Sequence, residues 1–230
     1  MVVVMPQSLW VNNIFNRGSI ISRQLPTDKY ITSSCTVSHG IVVKDGAVLF
    51  KSNAANAQDF LLAVYQHFRL SYPKFYKMDN LSKLGWLASE ILLNDTFKAG
   101  AYPPEKTGII LANANSSLDD DIRYYKSVED IPSPSLFVYT LPNIVIGEIC
   151  IRNNFKGEHA LFIQDKFDAG FIKQQVDYLM DKDILDACVC GWLDFLDQEY
   201  NTVLFLVEKK HSDGSLLFSK DNMDRIFNNS

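Results

Sequence analysis

Residues 159–180 read HALFIQDKFDAGFIKQQVDYLM, and the order of residue types in this stretch decides the fold. Ala160 to Ile163 form an apolar run of strand length. A short polar turn follows, and Asp168 is placed to cap a helix whose inner stripe is Ile172, Val176, Leu179 and Met180. Strand, tight turn and helix start make an elbow. Several enzyme classes mount a Ser or Cys on such an elbow, at the positive end of a helix dipole. Here the turn runs Gln164, Asp165, Lys166, Phe167, Asp168, Ala169, Gly170 and contains neither.

Outward from the elbow, the pattern alternates strands with helices. Residues 30–50 are β-branched and alternating, with a Lys44-Asp45-Gly46 turn, and predict a strand and hairpin. Residues 56–68 and 79–94 carry apolar side chains at helical spacing. After a loop with Gly100, Pro103 and Pro104, residues 108–113 read as a strand, and Ser116 with Asp119 predicts a capping pair for the next helix. Residues 131–143 predict an extended Pro/Ser loop. Residues 143–155 predict a helix apolar on nearly every side, so buried. Segments 186–196 and 202–210 read as strands and 219–227 as a closing helix. Residues 1–29 are irregular. The fold class expected is α/β: a mostly parallel five-stranded sheet, with strands near 31–36, 108–113, 159–164, 186–192 and 202–208, and helices on both faces. A single domain over 1–230 is the simplest division.

Composition narrows the class. The 230 residues are 47 % hydrophobic and 21 % charged, as in an ordinary globular protein, and the net charge of −5 disfavours a nucleic-acid surface. No apolar run reaches the roughly 18 residues of a membrane span. The opening MVVVMPQSLW has too short an apolar block, and no basic leader, for a signal peptide. Four cysteines make no disulfide framework, which points to the reducing cytoplasm.

Independent chemistry is sparse. Cys188 and Cys190 are spaced C-x-C inside a strand, not C-x-x-C, and read as buried small hydrophobes. Cys35 and His39 sit four apart, a spacing without special meaning on a strand or hairpin, and His67, His159 and His211 have no partner nearby in sequence; each reads as a structural or surface residue. The run Asp119, Asp120, Asp121 fits a first helical turn meeting its dipole. No phosphate-binding glycine loop and no nucleophile-elbow signature occurs, and neither a cofactor nor a metal is expected.

The stretch SPSLFVYTLPNIVIGEICIRNNFKGEHALFIQDKFDAGFIKQQVDYLMDKDILDACVCGWLD, residues 133–194, resembles the amino-terminal half of a β-ketoacyl synthase, a thiolase-like fold. In that family a Ser/Pro loop leads to a Pro-Asn pair heading a buried helix, matched by Pro142 and Asn143. A glycine after the helix is matched by Gly157, and then come a strand, the elbow, an amphipathic helix and a strand ending like CGWLD. Upstream, NLSKLGWLASEILL and TGIILANA resemble the preceding helix and strand, so that the likeness spans most of 78–196. Alignment on Gly170 puts Phe167 where the family has its acyl-accepting Cys, and a phenyl ring cannot be acylated. The family's active-site His residues belong to a carboxy-terminal half, which is expected to begin where this chain ends.

The pattern is most similar to short chain-length-factor-like proteins of aryl polyene and related type-II fatty acid or polyketide pathways. What the resemblance implies is a subunit inactive in condensation by itself, paired with a complete ketosynthase and, through it, with an acyl carrier protein; alone it is expected to form a homodimer. The implied elbow residues are Asp165, Phe167, Asp168 and Gly170. Phe137, Leu141, Asn143, Ile144 and Val145 are implied at the interface, closing the partner's acyl tunnel, with strand 160–164 at the subunit boundary. Two alternatives stay open: a stand-alone thiolase-like acyltransferase or 3-oxoacyl synthase, and a scaffold without an acyl pocket.

Overall fold

The computed structural model describes residues 28–98, 100–129 and 131–229, so nearly all of the irregular segment expected at 1–29 lies outside the described residues. In chain order the elements are β1 (Tyr30–Ser38), β2 (Ile41–Lys44), β3 (Ala47–Lys51), α1 (Ala57–His67), α2 (Asn80–Leu93), β4 (Thr107–Asn113), α3 (Leu118–Val128), α4 (Pro134–Tyr139), α5 (Ile144–Asn153), β5 (His159–Ile163), α6 (Ala169–Asp181), β6 (Ala187–Leu196), β7 (Glu199–Glu208), β8 (Leu216–Leu217) and α7 (Lys220–Asn228).

One sheet runs β3-β2-β1-β7-β6-β4-β5, with β8 beside β1. It is mixed and eight-stranded, which corrects the mostly parallel, five-stranded expectation. Only β4 pairs in parallel, with β5 and β6; β1–β2, β2–β3, β1–β7, β1–β8 and β6–β7 are antiparallel. For β1–β2, β2–β3 and β6–β7 connection length is the reason. Two-residue links cannot supply the crossover a parallel pair needs, but they close antiparallel hairpins. His39-Gly40 and Asp45-Gly46 make the first two, each with both residues at positive φ, the arrangement whose twist matches paired strands. Residues 30–51 therefore form two hairpins rather than one.

The central strands are buried on both sides and alternate between two cores. Ile109, Leu111, Val189, Leu204 and Leu206 face α1, α2 and α5. Ile110, Ala112, Cys188, Cys190, Val203 and Phe205 face α6 and α7. Helix α2 is the hub of the first core, with all but Lys83 and Glu90 buried. Its N-terminus is capped by Asp79, which accepts the Ser82 N–H at 3.1 Å.

Three local expectations change. The stretch 131–143 is not extended throughout: Pro134 fits a first helical position and the Ser133 hydroxyl accepts the Leu136 N–H, so α4 forms. Helix α5 buries Val145, Ile146 and Ile149 but leaves Ile151 65 % exposed, because it packs on α2 along one side only. Helix α3 has no Ser116–Asp119 capping pair. Ser117 is the N-cap residue, without a side-chain capping bond, and Ser116 sits at φ +53°. The Asp119 carboxylate instead accepts from Asn80 Nδ2 at 2.9 Å and from the Asp197 N–H at 3.0 Å. Among the described residues no helix is long and apolar enough to cross a membrane.

Candidate functional site

Strand β5 is an edge strand, hydrogen-bonded to β4 alone, and the elbow hangs from its end. Gln164 N–H donates to the Asn113 carbonyl at 2.9 Å, extending the ladder by one residue before the chain turns. Asp168 then takes extended backbone angles, and its Oδ1 accepts the Phe171 N–H at 2.9 Å, starting α6. Asp165 and Lys166 point to solvent, while Ala169 is buried. Gly170 follows in the first turn, where a Cβ would come within 3.2 Å of Asp168 Oδ1.

Phe167 is half-buried, and its ring stacks on Phe227 of α7 at 4.4 Å between centroids and 25° between planes. Phe162 meets Phe171 edge-on at 5.0 Å beside it. The turn between β5 and α6 thus carries an intramolecular aromatic pair. Replacing Phe167 or Phe227 by Ala is expected to cost about 1–2 kcal/mol each, with a coupling of roughly 0.5–1.5 kcal/mol from the stacked pair. Urea unfolding of the two single variants and the double variant reads this, and strict additivity would separate the rings energetically.

The cysteines and histidines are spread through the fold. Cys188 and Cys190 are fully buried in β6, and burial pushes the Cys190 thiol well above its ordinary range. Burial likewise raises Cys35 to about 12 and Cys150 to about 11, far from a reactive thiolate. His159 opens β5 at the end opposite the elbow. His39 lies in the β1–β2 turn, His67 packs at a tilt against Phe50, and His211 packs edge-on against Tyr30. Among the described residues no group of three or more His, Cys, Asp or Glu could hold a metal ion.

Next to the elbow lies an apolar surface of which the sequence pattern shows half. Asn113 Nδ2 donates to the Ser116 carbonyl at 2.9 Å, and Ser117 Oγ donates to the Thr140 carbonyl at 2.7 Å. These bonds stitch the end of β4 to both α3 and α4. On α4 and the link to α5, Phe137 is 59 % and Leu141 54 % exposed. Ile144 is half-buried, Asn143 heads α5 without a side-chain capping bond, and Val145 is sunk into the core beside Gly85. Leu118, Ile122, Tyr125 and Val128 of α3 and Val138 of α4 are exposed as well, with Tyr124 packed against Phe137 at 5.4 Å. The spacing of Leu118, Ile122 and Tyr125 is the signal that could have shown this face: it is a helical stripe.

No family model matches this chain, and no curated protein does. Its fold, however, is that of solved ketosynthases. The ishigamide ketosynthase/chain length factor superposes with a TM-score of 0.57 at 17 % identity, covering 79 % of this chain and 62 % of that one. AntDE:AntF, a type II PKS acyl-carrier protein in complex with its ketosynthase bound to the hexaketide, gives 0.55 at 11 % identity, covering 80 % and 63 %. The chain therefore has a thiolase-like, ketosynthase fold, and spans less than two thirds of the length of either structure.

Proposed function

We propose that this chain is a non-catalytic, chain-length-factor-like subunit that pairs with a complete β-ketoacyl synthase in type-II biosynthesis of the aryl polyene kind. The observation that carries the reading is Phe167, stacked on Phe227 at the turn where the resemblance places an acyl-accepting Cys. A ketosynthase-like fold whose elbow carries a stacked phenyl ring in place of a thiol fits a shaping role and leaves no route to a thioester at that position. The exposed Phe137 and Leu141, with Ile144 beneath them, supply the surface for closing a partner's acyl tunnel. They act by shape alone, being apolar. Asn143 and Val145 hold the start of α5 in place behind them. The acyl carrier protein docks on the synthase, and both superposed structures contain ketosynthases, one of them with its carrier protein. Four free cysteines fit a cytoplasmic setting.

The test is reconstitution with a complete ketosynthase and carrier protein. The isolated chain should show no decarboxylative condensation, and Phe167→Cys should not create it, since no His lies at the elbow to serve as base. In the complex, Phe137→Ala or Ile144→Ala should lengthen products by one or more extension units, read by mass spectrometry. Condensation by the isolated chain that survives Phe167→Ala would overturn the reading. Unchanged product length in an intact complex would remove those two side chains from the tunnel.

A further inference from the structure

Helix α3 is fastened to the body in an unusual way. Its apolar side chains point outward or toward α4, and its one buried residue is Asp120, with no exposed surface at all. Oδ2 of that carboxyl has no hydrogen-bond partner among the described residues. Oδ1 has only Arg123, at a long 3.5 Å, whose side chain is nearly half exposed. Arg123 lies one turn along the same helix, so that contact moves with α3 and does nothing to hold it down.

What faces Asp120 from the body is another acid. Asp79, the cap of α2, is itself buried, and one of its oxygens is engaged by the Ser82 N–H. Lys83 of α2, its pKa pushed down by burial and by Arg123 against the raising effect of Asp79, makes no ion pair with Asp120 among the described residues. From α3 itself come Asp119, bound to Asn80 and the Asp197 N–H, and Asp121, beside the Ser117 hydroxyl. Tyr139 of α4 senses both Asp79 and Asp120. Asp194 of β6 is occupied by the N–H groups of Ala114 and Asn115. An ionised carboxylate in this place would be buried, barely paired and opposed by a like charge, which is costly.

We propose that α3 and α4 form an arm that is seated on the body when the Asp120 carboxyl is protonated and loosened when it ionises. The bonds of Asp119 and Ser117 then act as tethers that survive release. The direction of titration agrees: burial first, then Asp79, raises Asp120 to about 6, and burial raises Asp79 as well. A carboxyl raised in the seated form favours seating fully only below its ordinary, released-state pKa of about 4, and that stabilisation declines from there until it is lost once pH passes the raised value. Seating is therefore firm in mild acid and weaker above neutrality, whichever partner meets the apolar face.

Hydrogen exchange of the whole chain at about pH 5 and about pH 8, corrected for intrinsic rates, tests it. In the wild-type protein α3 and α4 should exchange roughly tenfold faster, relative to the central strands, at the higher pH. Asp120→Asn, which mimics the protonated acid, should hold both helices slow at both pH values. Asp79→Asn, which removes the opposing charge, should move the midpoint downward and shrink the change; it keeps the test decisive should Asp120→Asn fail to fold. Exchange in α3 and α4 that follows the rest of the chain across this range would overturn the proposal. So would an Asp120→Asn protein with the wild-type pH dependence, or an unmoved midpoint in Asp79→Asn.

Discussion

Gly191→Ala is expected to abolish the folded state rather than weaken it. Gly191 lies in β6, at the middle of the sheet, opposite Leu204 of β7 and Leu111 of β4. Its φ is +149°, a region side chains rarely adopt, and a Cβ there would stand 2.0 Å from the Val203 carbonyl oxygen and 3.1 Å from Leu204 Cα. The obstacles are backbone atoms, so no rotamer change can make room. Relief requires β6 and β7 to part, and both cores are built on that pair. The cost should exceed about 4 kcal/mol, the rare upper end for single substitutions and a large share of a typical domain's stability. Soluble yield and circular dichroism melting read the outcome, with Gly147→Ala as the control. Gly147 is helical with nothing within 4 Å of the place a methyl group would take, and alanine there should be neutral or stabilising by up to about 1 kcal/mol. A cooperative melt near the wild-type midpoint for Gly191→Ala would show that the strand can shift.

Why the sequence revealed some of this and hid the rest follows from the range of the forces involved. The elbow was legible because its determinants are local: an apolar strand, a polar turn, and an Asp three residues before the N–H it caps. Helices α1 and α2 were legible for a similar reason, their apolar stripes marking the face that packs. Strand direction was not. A run such as Thr202–Val207, buried on both sides, looks the same in parallel and antiparallel pairing, and only the short Asp197-Gln198 link to β6 distinguishes them. Helix α5 misled because a side chain's polarity does not reveal whether anything covers it: Ile151 is as apolar as Ile149, yet one is exposed and the other buried. The Asp120 environment was beyond reach, since the Asp79 charge that it senses lies far back in the chain and nothing local announces the coupling. The stacking of Phe167 was hidden likewise, its partner Phe227 arriving from the last helix.

The largest expected effect on assembly comes from the open edge of β5, and its register dictates where to strike. The Ile109 N–H donates to the Glu158 carbonyl and the Gln164 N–H to the Asn113 carbonyl. In a parallel ladder such bonds recur at every second residue, so Ala160 and Phe162 also turn their N–H groups toward β4. Leu161 and Ile163 turn theirs to the empty side. An unpaired strand edge this apolar is a template for another strand, and the proposed pairing uses it to join two sheets across the subunit boundary. Ile163→Pro deletes one outward N–H and puts a ring in the path of the incoming strand, while the bonds to β4 stay intact. The variant should fold with nearly unchanged melting behaviour, yet run as a monomer on its own. Its affinity for a complete ketosynthase should fall by roughly 100-fold or more, about 3 kcal/mol. Phe162→Pro is the counterpart: it removes an inward N–H, breaks the β4–β5 ladder, and should lower stability by about 3 kcal/mol or more whether or not a partner is present. Size-exclusion chromatography with light scattering, alongside pull-down by a tagged ketosynthase, separates the two effects. If Ile163→Pro keeps both the homodimer and the complex, the β5 edge is not the joint, and pairing must be sought on the face of α3 and α4.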